Sequence, residues 1–279
     1  MDEHFFIYND RFFTEGEMVI SAGNRSLRYG DGLFETMRMY EGRVSNIDFH
    51  FDRLFSGLTH LQFETPQTFT PGFLLKKIKD LLNKNNEGKS ARIRLMIFRG
   101  EGGIFDIKNN LPNYIIETWA LPGKIELNEN GLIIDIFPDA RKSCDRFSNL
   151  KSNNYLPYAM AGLFAQKNNL DDAIILNVYE RVCESAISNI FIIKDKNIFT
   201  PPLSEGCVAG VMRRCILEKL SLKNYIVSQK SLSIDELLDA DELFLTNAIQ
   251  PARWVKKFRG KTYGSEKVKE IFQHLIENL

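Results

Sequence analysis

Lys151 stands where a reactive group would be useful. It ends a polar loop in Leu150-Lys151-Ser152-Asn153-Asn154-Tyr155, after a strand-like run and before a helical one. Loops at such junctions hold ligands in α/β proteins, and a primary amine there can attack a carbonyl or move a proton. Glu184, in Glu184-Ser185-Ala186-Ile187-Ser188-Asn189-Ile190-Phe191, lies at a polar turn feeding an apolar strand. A carboxylate so placed can face a pocket and pair with a protonated ring nitrogen. Arg53 precedes the core position Leu54 on an amphipathic segment, from which a guanidinium can fork onto a phosphate. Gly210-Val211 opens a helix after a loop holding Gly206 and Cys207, and the N–H groups of a helix start attract phosphate. Arg99, in Phe98-Arg99-Gly100-Glu101-Gly102-Gly103, can grip a carboxylate; no helix follows these glycines, so they do not form a dinucleotide loop. Each residue also has a plain reading: solvated lysine, turn glutamate, surface arginine, ordinary helix start, flexible loop.

The elements that must position these groups alternate between strand and helix periods, the pattern of a mixed α/β protein. Phe5 to Tyr8, Glu17 to Ile20 and Thr36 to Tyr40 read as strands, with a hairpin turn at Glu41-Gly42. Phe51, Leu54, Phe55, Leu58 and Leu61 have helical spacing, with Asp48 as cap. Thr70-Pro71 starts a second helix, and Ala91 to Phe98 and Asn113 to Leu121 read as strands. Leu121-Pro122-Gly123-Lys124 has linker chemistry, dividing the chain into an N-terminal α/β domain (1–120) and a C-terminal one (125–279) that carries Lys151. In the second, a strand at Leu132 to Phe137, a helix from Tyr155 to Lys167, a strand pair at Ala173 to Val178 and Ser188 to Lys194, and a helix from Gly210 to Leu220 are expected.

Composition narrows the function. With 44% hydrophobic and 26% charged residues the 279-residue chain can bury a sizeable core. Its 36 basic and 36 acidic residues balance, so no long-range field gathers nucleic acid or an anionic membrane. Four cysteines without a C-x-x-C pair fit reduced thiols in a cytoplasm, and four scattered histidines offer no zinc site, so no metal is expected. The acidic start, with no long apolar run after it, argues for a cytoplasmic protein acting on a small molecule.

Four separated strings together resemble one family, the class IV enzymes that use pyridoxal 5'-phosphate (PLP): branched-chain and D-amino-acid aminotransferases and 4-amino-4-deoxychorismate lyase. Arg28-Tyr29-Gly30-Asp31-Gly32-Leu33-Phe34-Glu35-Thr36 is similar to the family's N-terminal glycine motif. His50-Phe51-Asp52-Arg53-Leu54 resembles its H-x-x-R-L element, Lys151-Ser152-Asn153-Asn154 its Schiff-base lysine segment, and Glu184 to Phe191 its carboxylate segment. Gly210-Val211-Met212-Arg213 and Thr246-Asn247-Ala248-Ile249-Gln250-Pro251 follow in the family's order.

The resemblance implies two α/β domains of fold type IV with PLP in the cleft between them, in a homodimer. It implies Lys151 as the PLP lysine and proton-moving base, Glu184 on the pyridine nitrogen, and Arg53, Gly210, Val211 and Met212 around the phosphate, with Asn247 a further cofactor-binding residue. Tyr155 is a candidate for the phenolic oxygen, although a core tyrosine on the following helix is the favoured reading, and Tyr29 and Arg99 are candidates for substrate binding. Thr36, Met212 and the Asn247 to Pro251 string resemble the lyases more than the aminotransferases. The implied activity is therefore release of pyruvate from 4-amino-4-deoxychorismate to give the folate precursor 4-aminobenzoate, with Thr36 assisting proton delivery. A transaminase acting on branched-chain or D-amino acids with 2-oxoglutarate, and a non-catalytic relative, are the alternatives.

Overall fold

The computed structural model describes residues 3–17, 19–106, 108, 110–220 and 225–277. The chain forms two compact units, Met1–Lys124 with Lys151–Asn154, and Ile125–Leu150 with Tyr155–Leu279. The break after Lys124 falls where the Pro-Gly linker ends. Lys151 corrects the expected division: its short segment belongs to the first unit although its chain neighbours belong to the second.

The first unit starts with a hairpin, β1 (Phe5–Tyr8) and β2 (Arg11–Thr14). Asn9 and Asp10 between them have φ of 41° and 71°, the left-handed pair that suits a two-residue turn between twisted strands. The strand expected at Glu17 to Ile20 is absent at its described positions, Met18 lying outside the described residues, because the tight turn brings the second strand in earlier. A short helix α1 (Arg25–Tyr29), capped by Asn24, precedes β3 (Gly32–Tyr40) and β4 (Arg43–Val44). Helix α2 (Ile47–His60) starts after Asn46, so Asp48 lies in the first turn, where its charge favours the helix dipole, and is not the cap. Helix α3 (Pro71–Lys84) is capped by Thr70, as its Thr-Pro start predicts. β5 (Ala91–Phe98) and β6 (Asn113–Ala120) complete a sheet of order β2-β1-β6-β5-β3-β4, every pairing antiparallel.

Period-two alternation gives this sheet two different faces. Ile93, Leu95 and Ile97 of β5 are fully buried and share a face with Leu33, Glu35 and Met37 of β3. The other face carries Phe34 and Thr36, which lie opposite Met96 and Arg94.

The second unit begins with β7 (Leu132–Lys142), followed by α4 (Leu156–Lys167), β8 (Asp172–Asn177), β9 (Val182–Ser185), β10 (Asn189–Lys194), β11 (Asn197–Thr200) and α5 (Val211–Lys219). β12 (Ile226–Gln229), α6 (Ile234–Asp239), β13 (Glu242–Thr246), β14 (Arg253–Phe258), β15 (Lys261–Thr262) and α7 (Glu266–Glu277) complete it. The sheet is mixed, of order β12-β11-β10-β13-β14-β7-β8-β9, with β15 on β14. β8 pairs with β7 and β9, and β10 with β11 and β13, so the two strands expected as a pair are not neighbours.

β7 reaches five residues beyond Phe137, where Pro138 makes the sequence look finished. A bulge absorbs the proline: pairing with β8 shifts between Ile136 and Arg141, and Lys142 ends opposite Asn177. One apolar cluster gathers Leu132, Ile134, Ile174, Ile190, Leu243, Leu245 and Val255. Another packs Tyr158, Ala161 and Ala165 of α4 on Phe137, Ala173 and Ile175.

Candidate active site

In the first unit the Lys151 segment is docked on β3. Phe34 N–H donates to the Lys151 carbonyl at 2.9 Å and Asn153 N–H to the Gly32 carbonyl at 2.9 Å. Gly32 is required here, since a Cβ on it would sit 2.4 Å from the Ile97 carbonyl and 2.5 Å from the Asn153 amide. The Lys151 ammonium lies 4.5 Å from the Phe34 ring centroid, and the Arg94 guanidinium 4.4 Å from it. Thr36 is half-buried two residues further along the same face. Amine and guanidinium thus share one aromatic ring, and Thr36 stands opposite Arg94 on the same face. Arg94 was not singled out in the sequence; its signal was alternation, which opposes it to Thr36.

On the other face Glu35, 1% exposed, meets α2. It accepts from Arg53 Nε at 2.8 Å, from Arg53 Nη2, and from His50 Nδ1 at 2.6 Å. Arg53 is therefore no surface residue: its fork is held by a buried carboxylate. Burial raises the Glu35 pKa, but Arg53 and His50 outweigh it and hold the carboxyl down at about 2. Burial pulls the His50 pKa below its usual value; Glu35 opposes the fall, and Arg53 and Lys151 add to it. His50 is thus neutral and donates its Nδ1–H.

Both shifts give acid sensitivity. An unfolded histidine protonates near 6.5 and His50 only at lower pH, so its contribution to stability is complete above 6.5 and is lost as pH falls below it. The Glu35 contribution is present above 4.5 and is lost as pH falls through about 2. Urea unfolding should show stability falling between pH 7 and 5, with a smaller fall in His50→Gln; the same fall in both proteins would contradict this.

Tyr29 is 41% exposed on α1, with the Arg25 guanidinium 5.4 Å from its ring. Arg99 departs from its expected role. It is 6% exposed and donates to Asp31 at 2.6 Å, to Asn110 at 3.1 Å and to the Leu61 carbonyl. A guanidinium committed to these partners ties the 99–110 loop to the fold and is not offered to a substrate carboxylate.

In the second unit Glu184, 3% exposed, collects donors. Its Oε1 accepts from Lys142 Nζ at 2.6 Å, Tyr158 Oη at 2.7 Å and Val208 N–H at 3.1 Å. Oε2 shares the Val208 N–H at 3.1 Å and takes the Asn189 amide at 3.3 Å. Asn189 also reaches the Val208 carbonyl, and a Cβ on Gly210 would lie 1.8 Å from Asn189 Oδ1. The glycine thus lets the start of α5 approach the carboxylate. Gly210 offers no side chain as a cap, and Val211 and Met212 form the buried first turn, which is the form of an anion seat.

Tyr155 is half-buried and stacks on Tyr158 with ring centroids 4.2 Å apart. Burial, then Glu184, drives the Tyr158 pKa upward, so it donates as a phenol. Asn247 donates to Ser188 Oγ at 3.1 Å, and its Oδ1 accepts from the Ile249 and Gln250 N–H groups. It therefore shapes the 246–251 turn, which Arg253 braces through Ser188 and the buried Asp172. Lys142 and Tyr158 were missed in the sequence, one behind the bulge and the other inside a helix. Among the described residues all four cysteines are free, no cluster of three metal-ligand side chains occurs, and no helix is long and apolar enough to cross a membrane.

The family model described as class IV amino-transferase matches residues 32–258. An aminodeoxychorismate lyase of Vibrio harveyi is 30% identical over 82% of this chain and 84% of its own length. A putative branched-chain-amino-acid aminotransferase of Methanocaldococcus jannaschii is 29% identical over 96% and 93%. The branched-chain amino acid aminotransferase of Escherichia coli superimposes with a TM-score of 0.87 at 23% identity, covering 99% of this chain and 94% of that one. The mixed α/β fold of type IV, with its two sheets, is thus shared with that structure. The chain belongs to the class IV aminotransferase family of enzymes, which includes branched-chain and D-amino-acid aminotransferases and aminodeoxychorismate lyase.

Proposed function

We propose that the protein is a PLP-dependent lyase that converts 4-amino-4-deoxychorismate to 4-aminobenzoate and pyruvate. The observation that carries this reading is Lys151 and Arg94 on the Phe34 ring, with Thr36 opposite Arg94 on the same sheet face. It sets an amine, a hydroxyl and a cation on one sheet face, as elimination from a substrate with two carboxylates requires. The chemistry of the other residues fits PLP: a buried carboxylate whose Oε2 receives only the two longer bonds, and a helix start opened by glycine without a side-chain cap.

When bound, PLP supplies an electron sink for the carbon that loses its proton. Lys151 would hold the cofactor through its amine, and as a free amine it takes the proton from the ring carbon bearing the substrate's amino group. Breakage of the carbon–oxygen bond then expels enolpyruvate, and the Thr36 hydroxyl relays the proton held by Lys151 to its methylene carbon as pyruvate forms. Glu184 would hold the proton on the pyridine nitrogen, Arg53 and the N–H groups of Val211 and Met212 would receive the phosphate, and Arg94 would draw the substrate carboxylate onto the sheet. Asn247 acts through the turn it shapes, Tyr155 borders the phenolic oxygen, and Tyr29 edges the substrate's entry. The protein is proposed to work as a cytoplasmic homodimer.

The test is a paired assay of the PLP-loaded protein, with aminodeoxychorismate against a panel of branched-chain and D-amino acids with 2-oxoglutarate. Faster release of 4-aminobenzoate supports the lyase, and Thr36→Gly should depress elimination more than any transamination. Ready conversion of amino acids with no 4-aminobenzoate would replace the lyase by the aminotransferase, which uses the same cofactor residues and is favoured by the similar identity of the Methanocaldococcus relative.

The Arg53 assignment needs a compensated variant, because Arg53→Ala also strips Glu35 of a partner. Arg53→Ala/Glu35→Gln should stay folded and bind PLP about 10- to 100-fold more weakly, the scale of one charge-assisted contact. Unchanged affinity relative to Glu35→Gln would remove Arg53 from the phosphate.

A further inference from the structure

Lys142 is a buried cation with no part in the mechanism above. It is 8% exposed at the end of β7, and its three N–H groups all have acceptors: Glu184 Oε1 at 2.6 Å, the Ser148 carbonyl at 3.1 Å and Tyr158 Oη. Tyr158 Oη–H donates to the same Glu184 oxygen at 2.7 Å. Ammonium, phenol and carboxylate therefore close a triangle in which Oε1 is saturated, while Oε2 meets only Asn189 at 3.3 Å and half of the Val208 N–H. Sheet register enforces the arrangement. Lys142 lies opposite Asn177 and Glu184 opposite Ile175, two residues apart on β8 and so on the same face, beneath α4.

We propose that Lys142 is a positioning residue: its ammonium pairs with the Glu184 carboxylate and occupies Oε1, which leaves Oε2 for the ring N–H of PLP. This rests on the reading that Glu184 meets the pyridine nitrogen. A buried carboxylate without a cation gains by taking up a proton. A neutral Glu184 would no longer draw the proton onto the ring nitrogen by charge, and the electron sink would weaken. The other groups facing Lys142 do not replace it. Burial raises the Cys183 thiol well above its usual pKa and the Cys207 thiol to about 12, and it raises the Tyr158 phenol as well, so all three are neutral at pH 7. Arg213, on α5, is held by the Pro201 carbonyl and Gln229. Burial lowers the Lys142 pKa, but the Glu184 carboxylate paired with it at 2.6 Å outweighs burial and the net shift is upward; Lys142 is an ammonium and not a nucleophile.

The test compares Lys142→Met, Lys142→Arg, Glu184→Gln and the double variant Lys142→Met/Glu184→Gln. Infrared spectra of the cofactor-free chain read Glu184 directly. Lys142→Met should show a protonated-carboxyl band at pH 7 that Lys142→Arg lacks and the double variant abolishes. In the PLP-loaded proteins the pH midpoint of cofactor absorbance should move by about one unit in Lys142→Met, the scale of losing a neighbouring charge. kcat should fall about 10-fold at constant KM, the loss typical when the support of a working group is removed, and Lys142→Arg should restore both. Should Lys142→Met fail to fold, the double variant, with neither buried charge, supplies the answer: its midpoint should equal that of Glu184→Gln. A further shift would mean that Lys142 acts on PLP directly and would overturn the proposal, as would a folded Lys142→Met with no carboxyl band and an unmoved midpoint. A carboxyl band in Lys142→Met together with an unchanged midpoint in Glu184→Gln would instead overturn the placement of Glu184 at the ring nitrogen.

Discussion

Lys151→Ala is expected to lower kcat by about 10^3-fold or more, the scale of losing a positioned base that also carries the cofactor. The fold should survive, because the segment is docked through the Lys151 carbonyl and Asn153 N–H, which the substitution leaves in place. Circular dichroism should match the parent, while steady-state assay at saturating PLP shows the loss. Kinetics close to the parent would mean that another amine serves. Lys142 is a poor substitute on physical grounds: attack on a carbonyl needs a neutral amine, and the buried Glu184 pairing keeps Lys142 charged with all three N–H groups committed.

Glu184→Gln should cost two linked quantities. Turnover should fall by about 10^2- to 10^3-fold, the scale of removing one pre-set electrostatic partner from a water-poor site. PLP should still bind, because the proposed phosphate contacts at Arg53 and the start of α5 are left in place. Stability should fall as well, since Lys142 would keep its charge without its counter-ion; breaking a buried pair from one side typically costs about 3–5 kcal/mol. Kinetics at a temperature well below the unfolding transition separate the two effects. Near-parental kcat would show the carboxylate to be a structural partner of Lys142 and nothing more.

The parts of this account carried by local sequence were legible. α3 follows from apolar periodicity and its Thr-Pro start and α5 from the glycine at its start, whereas Glu184, read at a polar turn ahead of an apolar strand, lies inside β9. Parts set by tertiary contact were not. Pro138 reads as a stop, but a bulge carries β7 past it and turns Lys142 into the core. Lys151 follows second-unit sequence, but its carbonyl pairs with β3 of the first unit. Arg99, beside a glycine-rich loop, looks available for an anion until Asp31, distant in sequence, is found to hold it. Tyr158 is one of several apolar-face residues of α4 and becomes a donor only because β9 presents Glu184 to it.

The central claim, that Lys151 carries PLP, is tested most directly by borohydride reduction of the PLP-loaded protein followed by peptide mapping. The account predicts a single pyridoxyl label on the peptide containing Lys151, and no label after the same treatment of Lys151→Ala. A label on Lys142 or Lys167 in the unmodified sequence would contradict it.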